Sequence, residues 1–445
     1  MSGTKITYDH TTAMAAINPA ITVMWFRRDL RLTDNAAFCH ALRDNRDVQP
    51  VFILDSVILD RLEDTRDARV EFILNTLAEM KEALEGRGSS LAIFYGDPLE
   101  IFRALRPRAV YANSDYEPYA RERDKAIAEV LKKNNADFKT FKDQVIFEKN
   151  EVLKDDGKPY TIFTPYSRKW KAALKPFYLK SYPTEKYFGN LQQGNKLPFP
   201  ALTDIGFEKT GIDFPERVIH QNIIAHYDKT RNFPAVRGTT RLSLHLRFGT
   251  VSIRVLARIA TKKNQVWLNE LIWREFYQMI LWHFPGVQAK SFKPAYDQIA
   301  WRNDADEFTC WCEGRTGYPL VDAGMRELNT TGFMHNRLRM VTASFLTKHL
   351  LIDWRWGEAY FAKKLLDYDL ASNNGGWQWA AGSGCDAAPY FRVFNPVLQL
   401  DRFDPQLKYV KAWVPEFGTP QYPVPMVDHA FARERALAAY KKAIR

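Results

Sequence analysis

Ile21-Thr-Val-Met-Trp-Phe26 runs straight into Arg27-Arg-Asp-Leu-Arg31, and a second apolar run, Val48-Gln-Pro-Val-Phe-Ile-Leu54, follows soon after. Short runs of this kind, rich in β-branched and aromatic side chains, read as strands buried on both faces. Between them Asp34-Asn-Ala-Ala37 opens a helix. Arg66 to Gly86 reads as a long amphipathic helix, Leu91 to Tyr95 and Ala109 to Ala112 as further short strands, and Pro118 to Asn134 as a helix. Strands alternating with helices predict a doubly wound parallel sheet, Rossmann-like in plan, over residues 21–150. No glycine-rich loop follows the first strand, so no dinucleotide site is indicated there. Gly382-Ser-Gly-Cys-Asp-Ala387 fits the spacing of such a loop but has no strand before it.

Outward from this sheet the character changes. Residues 1–20 carry one Lys and no long apolar core, and read as a loose tail rather than a signal peptide. Residues 151–215, rich in Lys, Pro, Gly and Tyr without sustained period, read as a connection with short helices. From 216 to 445 the pattern is helical, with helices expected near 250–260, 266–283, 319–331, 333–351, 356–366 and 427–443. All but two of the 12 Trp fall in that part. A chain of 445 residues is too long for one core, and this division gives two principal domains.

The net charge of +11 points to a polyanionic partner, of which nucleic acid is the commonest. Cysteines 39, 310, 312 and 385 are too few and scattered for a disulfide framework, and Cys310-Trp-Cys312 lacks a second ligand pair, so reduced thiols and no metal are expected. No apolar run approaches about 18 residues, so no membrane span is expected. The expectation is a cytoplasmic monomer.

Asp367-Tyr-Asp-Leu-Ala-Ser-Asn-Asn-Gly-Gly-Trp-Gln-Trp379 sets two Asn and two Gly in a row, each costing up to about 1 kcal/mol in a helix relative to Ala. Such a run is usually shaped around a ligand, although an Ala/Gly-rich helix with an aromatic core is the plainer alternative. If helical, it puts Asn373 and Trp377 on one face, with Trp377 and Trp379 on nearly opposite sides. One indole then faces inward and the other floors a cavity. Gly238-Thr-Thr-Arg-Leu-Ser243 offers hydroxyls and a guanidinium just before a helix from Val251, with Ser252 as a cap candidate; this suits a pyrophosphate, or is an ordinary Ser/Thr-rich turn. Trp267-Leu-Asn-Glu-Leu-Ile-Trp-Arg-Glu-Phe-Tyr277 puts Glu270 and Trp273 on one helical face. A carboxyl beside an indole in a cleft has its pKa raised and can donate a hydrogen bond; a solvated Glu on an amphipathic helix is the alternative. Met334-His-Asn-Arg-Leu-Arg-Met340 sets Asn336 and Met340 four apart, with Arg339 on the adjoining ridge.

These motifs together resemble the photolyase/cryptochrome family, from Ile21 to about Arg435. Gly317-Tyr-Pro-Leu-Val-Asp-Ala323 and Ala387-Ala-Pro-Tyr-Phe-Arg-Val-Phe-Asn-Pro396 add to the match, which is most like class I cyclobutane pyrimidine dimer photolyases. The resemblance implies an α/β antenna domain, an all-helical FAD-binding domain and light-driven DNA repair by electron transfer from excited reduced FAD. It implies FAD contacts from Tyr227, Arg231, Thr239, Thr240, Arg241, Leu242, Ser243, Arg339, Asp367, Asp369 and Asn373, with Arg339 and Asp367 as an ion pair. Asn373 matches the amide next to flavin N5, where an Asp would favour other redox states. Trp377, Trp354 and Trp301 match an electron-hopping chain. Glu270, Trp273, Asn336 and Met340 match positions that meet the dimer, and Arg337, Trp379 and Arg392 match the DNA-facing rim. Relatives that repair (6–4) photoproducts carry two His in place of Asn336 and Met340. Tyr119 and Ala120 stand where folate-binding members have an Asn-Glu pair, so a deazaflavin or flavin antenna is favoured over folate. The implied partner is single- or double-stranded DNA carrying pyrimidine dimers. A cryptochrome-type photoreceptor and a flavin-free nucleic-acid-binding protein are the competing readings.

Overall fold

The computed structural model describes residues 6–194 and 196–444. The chain divides into two units: Met1–Glu148, Leu174–Arg217 and Leu242–Arg258 form the first, and Lys149–Ala173, Val218–Arg241 and Ile259–Arg445 the second.

The first unit holds a five-stranded sheet of β1 (Thr22–Phe26), β2 (Val48–Asp55), β3 (Ala92–Gly96), β4 (Ala109–Asn113) and β5 (Asp137–Phe141) in the order β3-β2-β1-β4-β5. All neighbours are parallel, with Trp25 opposite Val51 and Met24 opposite Tyr111. Every residue of β1 and β2 is buried, as their mainly apolar runs require, with Thr22, Gln49 and Asp55 the polar residues among them. Around the strands run α1 (Thr11–Ala16), α2 (Ala36–Asp44), α3 (Ala68–Glu85), α4 (Pro98–Leu105) and α5 (Pro118–Lys133), among shorter turns. Asn35, Asp67 and Asp97 cap α2, α3 and α4, each accepting a backbone N–H of the first turn. The doubly wound α/β expectation therefore stands. Two details differ. The segment expected as a loose tail contains α1, whose Ala13, with Ile17 just beyond it, packs into the core of Trp25, Phe94 and Phe102; residues 1–5 lie outside the described part. β5 is an edge strand of mixed polarity that the sequence pattern does not announce.

Behind β1 a buried ion network forms. Arg31 donates to both oxygens of Asp143, at 2.8 and 2.6 Å, and Arg254 donates to Asp34 and Asp143, each at 2.8 Å. Burial alone would push the Asp143 carboxyl up, but the two guanidiniums outweigh it and hold the carboxyl below its ordinary value. Neighbouring Asp29 is pushed the other way by burial. A depressed folded value stabilises above the unfolded pKa, about 4 for Asp, and that contribution fades as pH falls further. Asp143→Asn leaves two guanidiniums half-partnered, an expected cost of roughly 3–5 kcal/mol. Thermal melts across pH should show a lower midpoint near neutrality and loss of the part of the acid-side slope that Asp143 supplies.

The second unit is helical: α6 (Phe163–Ala173), α7 (Gln265–His283), α8 (Ala305–Glu313), α9 (Pro319–Thr331), α10 (Asn336–Ser344), α11 (Trp354–Lys364), α12 (Leu370–Ala381) and α13 (His429–Ala443) are its longer elements. The helix expected over 333–351 is interrupted, α10 passing at Phe345–His349 into a buried π turn. Residues 151–215 are no single connection. α6 joins the second unit because Phe163, Tyr166 and Trp170, one face of a helix, bury against α7, where Trp170 Nε1 donates to Glu275 at 2.5 Å. The core gathers Trp311, Trp354, Phe361 and Trp377. Among the described residues no helix is long and apolar enough to cross a membrane, no group of three or more His, Cys, Asp or Glu could hold a metal, and the four cysteines are free.

Candidate functional site

α12 explains its own poor helix formers. Asp369 caps it, accepting the Ser372 N–H at 3.0 Å. A Cβ on Gly375 would lie 2.2 Å from the Tyr277 ring, so only glycine lets α12 approach α7 this closely, whereas a Cβ on Gly376 meets nothing within 4 Å. Gly376 thus fronts open space beside Asn373. The Asn373 Nδ2 donates to Glu358 Oε1 at 2.8 Å and to Glu358 O at 3.1 Å, so both amide protons are spoken for and Oδ1 is left as an acceptor. Burial raises the Glu358 carboxyl, although the Asn373 hydrogen bond draws it back. Glu358 is absent from the expected site: its place in α11 announces no partner on another helix.

Arg339 Nη2 donates to both oxygens of Asp367 at 3.0 and 2.8 Å, while its Nε holds Met334 O at 2.8 Å. The Asp367 side chain is 6% exposed, so this expected pair is largely withdrawn from water. One turn along α10, Asn336 Nδ2 lies 3.8 Å from Met340 Sδ, putting the two side chains on one face as their spacing demands. Arg337 turns away to lie over Phe403, 4.1 Å from the ring centre, and donates to Asn232 at 2.8 Å.

The structure joins two residues that the sequence assigned to separate tasks. Arg231 Nη1 donates to Glu270 Oε1 at 2.6 Å, and its guanidinium also lies over the Tyr227 ring at 5.1 Å. Burial raises the Glu270 carboxyl even so, with Arg231 opposing. Thr239 and Thr240 are half-buried in the turn after Gly238, whose missing side chain makes room for Thr230, 2.6 Å from where a Cβ would sit. Arg241 takes a left-handed φ of 52° and lies over Phe333. Leu242 and Ser243 fall in the first unit, where a helical turn at Ser243–Arg247 precedes the helix Ile253–Lys263; Ser252 does accept the Arg254 N–H.

Trp273 is backed by Phe163, their rings 3.7 Å apart and nearly parallel at 4°. Trp377 and Trp354 are 2% and 1% exposed, and Trp301 is half-buried. Trp377 meets Phe361 at 5.0 Å and Trp311 at 6.1 Å, and Trp301 meets Tyr440 at 5.9 Å. Trp379 points to the side of α12 away from Trp377, as expected, and lines a recess with Ala371, Asn374, Gln378 and Tyr277. Arg392 is exposed beside exposed Phe391.

Residues 22–186 match the family described as DNA photolyase, and residues 267–442 that described as the FAD binding domain of DNA photolyase. The deoxyribodipyrimidine photo-lyase of Synechococcus is 37% identical, over 94% of this chain and 96% of its own length. Among solved structures, a bacterial class III photolyase from Agrobacterium tumefaciens is similar at 33% identity and a TM-score of 0.85, over 96% of this chain and 98% of that one. An archaeal photolyase from Sulfolobus tokodaii with two FAD molecules is also 33% identical, with a TM-score of 0.81, over 95% and 99% of the two chains.

Proposed function

The chain belongs to the DNA photolyase family, and on that premise we propose that it reverses cyclobutane pyrimidine dimers in DNA under light, with reduced FAD as its electron source. The observation that carries this reading is the pairing of open space at Gly376 with the Asn373 amide, whose acceptor oxygen Glu358 leaves free. An acceptor amide suits the N5–H of a reduced flavin and adds no charge to it. When bound, FAD supplies the photoexcited electron that opens the cyclobutane ring. The rest is positioning and electrostatics by the protein.

In this reading Arg339 and Asp367 flank the flavin ring, Asp369 fixes the start of α12, and Tyr227, Arg231 and Thr239 to Arg241 hold the diphosphate end. Glu270 and Asn336 donate hydrogen bonds to the dimer, whose added charge makes those bonds stronger than in the ground state. Trp273 and Trp379 wall the dimer, Met340 shapes the pocket, and Arg337 and Arg392 take up phosphates. Trp377, Trp354 and Trp301 return electrons to an oxidised cofactor. The preference for cyclobutane dimers over (6–4) photoproducts rests on Asn336 and Met340, and not on assignment to class I. Tyr119 and Ala120 favour a deazaflavin or flavin antenna, a choice in keeping with the relative that carries two FAD molecules.

Asn373 and Glu270 both weigh against the cryptochrome-type photoreceptor. The deciding assay illuminates the reduced protein with oligonucleotides bearing either lesion. Intact pyrimidines should return from the cyclobutane dimer only, and only in light. No return from either lesion would favour the photoreceptor, and return from the (6–4) product would overturn the roles given to Asn336 and Met340.

A further inference from the structure

We propose that Lys348 is a positioning residue for DNA: by holding the carbonyl oxygens of Ala381 and Tyr390 at once, its side chain fixes Arg392 relative to Trp379. The inference rests on the reading above, in which Trp379 walls the dimer and Arg392 takes up a phosphate.

Lys348 is 1% exposed and lies in the buried π turn into which α10 passes. Its Nζ donates to Ala381 O at 2.9 Å and to Tyr390 O at 3.4 Å, and it sits 3.4 Å from the centre of the Tyr440 ring. Among the described residues no carboxylate pairs with it. What offsets its charge is the negative end of α12 at Ala381, the Tyr390 carbonyl and the Tyr440 π face. Burial pushes the amine well below the ordinary lysine value. An apolar side chain would fill the same space without that cost, so packing does not account for an amine here. The backbone also departs from regular helix to bring it there. Leu350 N–H reaches back five residues to Phe345 O at 3.2 Å, and Leu351 takes a left-handed φ of 52°, which a bulky side chain rarely adopts. The wider turn rotates Lys348 off the bearing that a continuous α-helix would give it. Strain of this kind persists only where the surroundings over-determine it.

The two carbonyls are what give the amine a task. Ala381 stands two residues after Trp379, and Tyr390 two residues before Arg392. Trp379 is fixed by α12 itself. Arg392 is exposed on a stretch that is neither helix nor strand, reached through Gly382 at a φ of 89°. Pro389 to Arg392 forms a tight turn, closed by the Arg392 N–H on Pro389 O at 2.8 Å, with Tyr390 as one of its two central residues. Holding Tyr390 O therefore orients the whole turn, Arg392 included. The Tyr390 ring stacks on Tyr440 at 6.3 Å and 9°, so α13 backs the same anchor. One amine thus ties a helix end to the turn that carries the arginine.

The test uses FAD-loaded protein and measures, in the dark, the Kd for a duplex carrying one thymine dimer over a series of salt concentrations. Repair per absorbed photon is then measured at saturating duplex. Arg392→Ala should raise Kd about tenfold, the scale of one charge-assisted hydrogen bond, and flatten the slope of log Kd against log salt by about one. Lys348→Met should do the same, with FAD content and saturated repair unchanged. Combining it with Arg392→Ala should cost little more than either change alone, because both remove one contact. Lys348→Gln keeps a donor for Ala381 O but is one atom too short to hold Tyr390 O as well. It should therefore show the same changes, and it answers the question where the Met variant does not fold. Unchanged Kd or an unchanged salt slope in Lys348→Gln overturns the proposal, as do additive costs on combination with Arg392→Ala or a loss of repair at saturation. Indifference of Kd to Arg392→Ala, or absence of repair by the unaltered protein, would fail the functional reading itself.

Discussion

Arg339→Met should yield protein that purifies with little or no FAD. In the intact chain both Arg339–Asp367 hydrogen bonds reach a carboxylate that is 6% exposed. Removing the guanidinium strands that carboxylate, and losing one partner of a buried pair costs about 3 kcal/mol or more. Set against cofactor binding, that is roughly a hundredfold in affinity. The check is flavin absorbance per chain after purification, with melting temperature recorded beside it. Arg339→Lys should recover only part of the loss, because an ammonium cannot reproduce the guanidinium's simultaneous hold on Asp367 and Met334 O. Unchanged FAD content in Arg339→Met would place the flavin elsewhere.

Glu270→Ala should cut repair per absorbed photon by about a hundredfold, the scale of losing one donor to a charge that develops during reaction. FAD content should stay the same. Glu270→Gln should keep most of the yield, since an amide donates without needing a proton. The raised Glu270 carboxyl makes a second expectation. It donates only while protonated, so the yield of the unaltered protein should fall as pH climbs through its raised value, and the Gln variant should lose that dependence. Arg231 sharpens the contrast: its bond to Glu270 favours the carboxylate, and the incoming dimer must outcompete it. Loss of FAD in the Ala variant would move Glu270 from the substrate's side to the cofactor's.

What the sequence revealed follows from how far each signal reaches along the chain. β1 and β2 were legible because strands buried on both faces are mostly apolar, whereas β5 sits at the sheet edge with Asp137, Lys139 and Thr140 exposed and shows no such run. α6 was hidden in a Lys- and Pro-rich stretch because only Phe163, Tyr166 and Trp170 carry its period. At the site, spacings of three or four placed Asn336 beside Met340 and opposed Trp377 to Trp379, since those relations lie within one helix. The pairs that join helices were not legible by spacing: Glu358 to Asn373, Arg231 to Glu270, and Trp311 to Trp377 each depend on how elements pack. Arg339 and Asp367 were reached only through the family resemblance.

A crystal structure of the FAD-loaded protein measures directly where the flavin sits. It should place the isoalloxazine in the open space at Gly376, with its N5 edge against Asn373 Oδ1 and the Arg339–Asp367 pair alongside. Density for the ring in the recess lined by Asn374, Gln378 and Trp379, or no flavin beside Gly376 in protein shown to contain it, would contradict the assignment of Asn373 to the flavin N5 edge.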